Sequence, residues 1–257
     1  MVDPRVQRLA HLLVRYSAPV REGNKVEIAG TTLAAPLLRE LYREILLAGG
    51  LPYLRMALPD QAEILLKTAN EAQLTTISPI TRLVMEEYDC TIHIMSEENT
   101  RELTGVDPAR QAMQSKAQHP LMETFMRRDA DGSLAWTACL YPTPAYAQDA
   151  EMSLADYEDF VYNACLLDRD DPVAAWQQVQ ERQQRLVDYL AGKREIHVTG
   201  PDTDLRLSIA GRTFINDYGT KNMPGGEVFT GPVEDSVDGT VRFTFPASYE
   251  GRSVEDV

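Results

Sequence analysis

An alternation through the first 140 residues constrains this chain most: short apolar runs of strand length are separated by amphipathic stretches of helix length. Residues 25–29 follow the Glu22-Gly23-Asn24 turn and set Val26 and Ile28 between charged neighbours. Residues 52–58 come after Gly49-Gly50, a natural helix terminator. Residues 90–95 are apolar and β-branched, and 134–140 follow an Asp131-Gly132 turn. Helical stretches are expected at about 34–48, 60–70, 79–88, 97–104 and 107–129, with two more at 153–167 and 171–192. Strands alternating with helices argue for an α/β fold, a parallel sheet flanked by helices on both faces.

Several helix starts carry their own signal. Asp3-Pro4, Asp107-Pro108 and Asp171-Pro172 each precede a long helical stretch. Aspartate supplies an N-cap oxygen, and proline at the first helical position loses no donor that the helix needs. Val6, Leu9, Leu13 and Tyr16 then fall on one face at helical spacing. Ser153 with Asp156 is a weaker capping box, with Asp in place of Glu.

Near residue 193 the pattern changes. Strand-length runs at 195–199, 204–210, 213–215, 227–230 and about 240–245 are joined by turns such as Gly200-Pro201-Asp202 and Gly211-Arg212. The reading is an α/β domain over 1–193, then the β-rich start of a second, incomplete domain over 194–257. A sheet that small, with no helix to cover it, buries little apolar surface and leaves its edges open.

Composition excludes some partners. Lys and Arg total 25 against 39 Asp and Glu, a formal charge of -14. That balance repels phosphate backbones and anionic membrane surfaces, so neither nucleic acid nor a membrane is an expected partner. Cys90, Cys139 and Cys165 lie far apart and form no Cys-x-x-Cys, which suggests neither a disulfide framework nor a zinc ribbon. The opening residues show no secretory pattern, and no run approaches the about 18 apolar residues of a span, so a cytoplasmic protein is expected.

Local catalytic motifs are absent: no His-Glu-x-x-His, no phosphate-binding loop, no Gly-x-Ser-x-Gly and no Gly-x-Gly-x-x-Gly. Gly30-Thr31-Thr32 reads as a strand-to-helix turn, either a plain one or one whose backbone donors meet an anion. The four histidines, His11, His93, His119 and His197, are scattered and form no local ligand pair; His93 is expected as a hydrogen-bonded core histidine. The unusual segment is 222–236, Asn-Met-Pro-Gly-Gly-Glu-Val-Phe-Thr-Gly-Pro-Val-Glu-Asp-Ser. A carboxylate directly after two glycines can be approached closely by an ion or ligand, because glycine removes side-chain bulk. Read alone, Glu227, Glu234 and Asp235 fit equally well as solvated turn acids.

The segment 222–236, with Gly-Glu-Val-Phe-Thr at its centre, resembles the signature of the aminopeptidase T and aminopeptidase S family. So do residues 203–213, the opening Asp3-Pro4-Arg5-Val6 through Tyr16-Ser17, Leu41-Tyr42-Arg43-Glu44 and Ala48-Gly49-Gly50. The resemblance implies a two-domain, dimeric exopeptidase that removes residues from peptides with free N-termini. It implies two divalent metal ions, zinc, cobalt or magnesium, in the second domain. The family's first metal-ligand glutamate falls on Glu227. The other ligands (a glutamate, two histidines and an aspartate) and an active-site tyrosine fall beyond Val257, so no catalytic residue is assigned within this chain. His197, Glu234, Asp235 and Tyr249 are not substitutes merely because their residue types suit. One glutamate is far short of the four to six ligands that a divalent ion usually takes. These 257 residues alone are therefore expected to be inactive and to hold metal weakly. The rival reading is a non-catalytic α/β binding module with its site beyond the carboxyl ends of the strands, near Gly30-Thr31, 57–60, 96–99 and 141–144.

Overall fold

The computed structural model describes residues 3–244, 247–249 and 252–254. Asp3 caps α1 (Pro4–Leu12) by accepting the Arg5 amide at 2.8 Å, and the helix widens into a π-helical turn over Leu13–Ser17. Then follow β1 (Lys25–Thr31), α2 (Ala35–Leu47), β2 (Leu51–Ala57), α3 (Gln61–Thr68), α4 (Glu71–Thr75), α5 (Pro79–Glu87) and β3 (Cys90–Met95). The next elements are α6 (Pro108–Ala130), β4 (Ala135–Leu140), α7 (Pro144–Asp149), α8 (Leu154–Ala164) and α9 (Pro172–Leu190). Asp107 and Asp171 cap α6 and α9 as their sequence promises, and Ser153 caps α8.

The strands form a five-stranded sheet in the order β2-β1-β3-β4-β8, where β8 is Asn222–Met223. Every pairing in it is parallel, so the expected architecture is the observed one. Successive residues of a strand point to opposite faces, which gives the sheet two characters. Val26, Ile28, Cys90, Ile92 and Ile94 face one way and join Leu9, Leu13, Leu37 and Leu41 in one buried core. Glu27, Thr91, His93 and Trp136 lie on the other face, with Tyr53 and Arg55 of β2 in register beside them. A smaller cluster of Leu66, Leu74 and Val106 lies among α3, α4 and the residues leading into α6.

Residues 97–104, expected to be helical, are not: 97–99 are irregular and 100–104 form turns. The Asn99 side chain accepts the Arg101 amide at 3.0 Å, a local bond that competes with helix formation. After α9, β5 (Glu195–Gly200) and β6 (Thr203–Ser208) make an antiparallel hairpin, joined by β10 (Asp238–Thr240). Of the expected strand at about 240–245 only Thr240 falls in this element: 241–244 are not strand, and Phe245 lies outside the described residues. β7 (Ile215–Asp217) pairs antiparallel with β9 (Glu227–Phe229), and β11 (Ala247–Tyr249) with β12 (Arg252–Val254). Through β8, the segment after residue 193 also adds a strand to the parallel sheet.

Cys139 and Cys165 are far apart in sequence but meet as free thiols in the core. Their mutual contact and complete burial hold the Cys139 thiol well above its ordinary pKa.

Candidate functional site

Glu227 opens β9, and its cross-strand partner is Asp217. Its side chain is exposed, and its carboxylate makes no hydrogen bond or ion pair among the described residues. The backbone beneath it is tightly held. Gln183, buried on α9, donates through Nε2 to the Glu227 carbonyl at 2.7 Å, the Asp217 carbonyl at 3.0 Å and Asn216 Oδ1 at 3.1 Å. The Gly226 amide donates to the Asp217 carbonyl at 2.7 Å. At Gly225 an added Cβ would lie 2.4 Å from the Gly219 nitrogen and 2.8 Å from Asp217 Oδ1, so glycine is required by close approach of backbone.

The turn between β7 and β9 is tied to the main sheet. Met223, 2% exposed, pairs in register with Cys139, and the Tyr16 hydroxyl donates to the Tyr218 carbonyl at 2.9 Å. Burial, with a smaller contribution from Asp217, pushes the Tyr16 hydroxyl up to about 12. Asp217 is buried and its carboxyl sits above its ordinary pKa: desolvation outweighs the Gly219 amide, and Glu227 adds repulsion. Two carboxylates on adjacent strands of a fixed turn are what a cation could use. Two are not a complete set, and among the described residues no group of three or more His, Cys, Asp or Glu side chains is placed to hold a metal. The described residues alone thus make no divalent site, and no catalytic step follows from them.

Sequence reasoning missed Asp217, Gln183 and the packing role of Gly225. The one local signal was an acid at the end of a β-run, just before Tyr218-Gly219. Glu234 and His197 are engaged elsewhere, whereas the Asp235 carboxylate has no hydrogen bond or ion pair among the described residues. His197 Nε2 lies 2.8 Å from Asp204 Oδ1 across the β5–β6 hairpin, and Arg212 donates to Glu234 Oε2 at 2.6 Å. Glu234's own amide, and then that guanidinium, keep its carboxyl below the usual range. Tyr249's side chain lies outside the described residues. His11 lies 3.4 Å from Glu44, and His119 3.4 Å from Glu123. His93 corrects its expectation: among the described residues no hydrogen bond holds it, it is exposed rather than in the core, and it lines a cavity.

The sequence pattern of the thermophilic metalloprotease (M29) family matches residues 2–257. The chain belongs to that family. Among curated M29-like relatives, Aminopeptidase 2 of Geobacillus stearothermophilus is 26% identical over 276 residues, covering 98% of this chain and 66% of the relative. Aminopeptidase T of Thermus aquaticus is 28% identical over 182 residues, covering 63% of this chain and 44% of the relative. Aminopeptidase AmpS of Bacillus subtilis is 28% identical over 171 residues, covering 60% and 42%. The chain thus spans about two thirds of the first and less than half of the other two. A solved structure described as wild-type AmpT from Thermus thermophilus matches with a TM-score of 0.77 at 22% identity, over 98% of this chain and 67% of that one. That likeness establishes the fold for this M29 member.

A second concave region lies at the carboxyl ends of β1, β2 and β3, where the strand order reverses. It is a crevice of about 320 Å³ that includes Thr31, Asp60, Ser96, Glu97 and Glu102. The Thr31 hydroxyl bonds to Ser96 Oγ and the Ser96 carbonyl, both at 2.8 Å, and accepts the Leu33 amide at 3.3 Å. The Gly30-Thr31-Thr32 turn is therefore capped by its own threonine. Burial raises the Glu97 and Glu102 carboxyls, with neighbouring acids adding to the shift, so the crevice does not suit an anion. Of the positions named for a binding module, 57–60 and 96–98 meet here, whereas 141–144 do not line it.

Proposed function

We propose that this chain is part of a metal-dependent aminopeptidase that releases residues from peptides with free N-termini, and that Glu227 is one of its metal ligands. The supporting observation is the family match through residue 257, which includes an exposed, unpaired carboxylate on a rigid glycine turn. In this reading residues 1–193 form the α/β domain and 194–257 open the metal-binding catalytic domain. The whole protein is a homodimer that uses two divalent ions, zinc, cobalt or magnesium. On this reading its remaining ligands and its active-site tyrosine are supplied by residues other than those described, and the 257 residues alone are expected to be inactive and to hold metal weakly.

Divalent ions supply Lewis acidity and activate water near neutral pH. The chain's own residues contribute position: Gln183 and the Asp217 carbonyl fix the β9 backbone, and Gly225 lets that backbone pass close to Asp217. A charge of -14 fits a protein with no nucleic-acid or membrane partner, and no described helix is long and apolar enough to cross a membrane. A cytoplasmic location fits the same reading.

The test compares the whole protein with the 257-residue chain. Both are assayed for release of a leucine-linked chromophore with added cobalt, zinc or magnesium, and bound metal is measured in parallel. Cleavage is expected from the whole protein alone, with Glu227→Ala lowering activity at least about 100-fold and reducing bound metal. Full activity and full metal content in Glu227→Ala would remove that residue from the ligand set. Cleavage by the short chain, abolished by Glu227→Ala, would place the remaining ligands within these residues. Silence from both folded forms would favour the rival reading, a non-catalytic binding module using the crevice at the strand ends.

A further inference from the structure

The polar face of the sheet carries an open cavity of about 490 Å³ beneath α5 and α6, within the about 300–1,000 Å³ range of small-molecule pockets. Glu27, Arg55 and His93 line it from three adjacent strands. Met85, Leu121, Met122, Phe125 and Trp136 supply apolar walls.

The charges on this face are unequally available. Arg55 donates through Nε to Glu27 Oε1 at 2.6 Å, and among the described residues its side chain makes no other hydrogen bond. The Glu27 side chain is 3% exposed, whereas that of Arg55 keeps 43%. The anion is thus enclosed, while the outer Nη donors of the guanidinium remain open. His93 and Arg55 both lie in register with Ala29 between them. Desolvation, helped by the Arg55 charge, lowers the His93 pKa and so favours the neutral ring, which has one N–H to donate. The Trp136 indole N–H finds no acceptor among the described residues. Glu27 is the one acid on the cavity lining, in a chain whose net charge is -14.

The geometry points to a binding site for a small amphipathic carboxylate, its carboxylate on the Arg55 fork and its aromatic or aliphatic body against Met122, Phe125 and Trp136. A planar guanidinium with free donors matches a carboxylate through two parallel hydrogen bonds, and a lysine ammonium does not. The site shares no residue with the Glu227 turn and does not depend on the peptidase reading.

Trp136 and Trp176 are the chain's two tryptophans, so Trp176→Phe leaves Trp136 as the reporter. The probe is 3-phenylpropanoate, with 3-phenylpropanol as its uncharged control. Because Trp176 is buried, the titration is repeated by calorimetry on the unaltered chain. The expected result is saturable binding of the carboxylate, at least about tenfold weaker for the alcohol. Arg55→Lys, which keeps a cation beside Glu27 but loses the fork, is expected to weaken binding at least about tenfold. Ala138→Leu fills the cavity from the sheet without touching a charge and is expected to abolish binding. Equal affinity for acid and alcohol would overturn the carboxylate assignment. Unchanged binding in both variants, or no saturable binding by the unaltered chain up to about 10 mM, would overturn the site.

Discussion

On one face of the parallel sheet Val26, Ile28, Cys90, Ile92 and Ile94 are at most 2% exposed; on the other, Glu27, Arg55, Thr91 and His93 border a cavity of about 490 Å³. Parallel strands covered by helices on both sides usually read as nearly continuous apolar runs. Here polar residues interrupt the runs even in the central strands, Glu27 in β1 and Thr91 and His93 in β3. One face therefore supplies the packing that makes the domain fold, and the other is left open enough to carry polar groups. Stability and binding are divided between the two sides of one sheet.

The largest effect that should separate the faces comes from truncating equivalent bulk on each. Ile92→Ala removes a fully buried side chain from the closed face and is expected to cost about 4 kcal/mol. Met122→Ala removes a 57% exposed side chain from the cavity wall and is expected to cost less than about 1 kcal/mol. Denaturant unfolding of the two variants measures the difference. Similar losses at both positions would mean that the cavity side packs as tightly as the core.

That division was partly legible in the sequence. Val26 and Ile28 flank a charged Glu27, and the strand–helix alternation carries the parallel sheet, because periodicity reports which side of a strand is buried. The three Asp-Pro caps were readable for a local reason, since cap and helix are adjacent in the chain. The segment 97–104 was misread because its Asn99 bond to the Arg101 amide leaves no mark on hydrophobic spacing. The six-residue α7 is too short for a period to declare itself. Glu227 became a candidate through its glycine context and the family resemblance. Its supports were invisible: Gln183 reaches the Glu227 carbonyl across 44 residues, and β8 joins β4 through only two residue pairs. Long-range contacts of that kind depend on the finished fold.

An intermediate effect is expected from the polar face itself. Arg55→Ala leaves the Glu27 carboxylate buried without its partner. Removing one member of a fully buried pair costs about 3–5 kcal/mol; with Arg55 half-exposed, about 2 kcal/mol is expected. The double substitution Glu27→Met with Arg55→Met should recover most of that loss, because an apolar pair carries no desolvation penalty. Urea midpoints for the two variants give the measurement. A double variant as unstable as Arg55→Ala would show that the ion pair, rather than burial of an unpaired charge, stabilises this face.

The smallest effect lies at the rim of the closed face, where Asp3 pins the start of α1. Its carboxylate accepts the Arg5 amide at 2.8 Å and pairs with Arg5 Nη2 at 2.8 Å. The Arg5 side chain is the main reason that the Asp3 pKa lies below an aspartate's ordinary 3.8. A lowered folded-state pKa means that folding favours the ionised form. The resulting stabilisation is fully present above the unfolded value and is lost as pH falls through the folded one. Asn in place of Asp3 keeps a capping oxygen but loses the charge. With both side chains about one third exposed, Asp3→Asn is expected to cost only about 0.5 kcal/mol at pH 7. That gap should close as pH drops below about 3.8 and Asp3 becomes neutral in the parent chain as well. Thermal unfolding of both chains between about pH 7 and pH 3 tests the sign. A gap that stays constant to the acid end would assign the contribution of Asp3 to the cap alone and none of it to its charge.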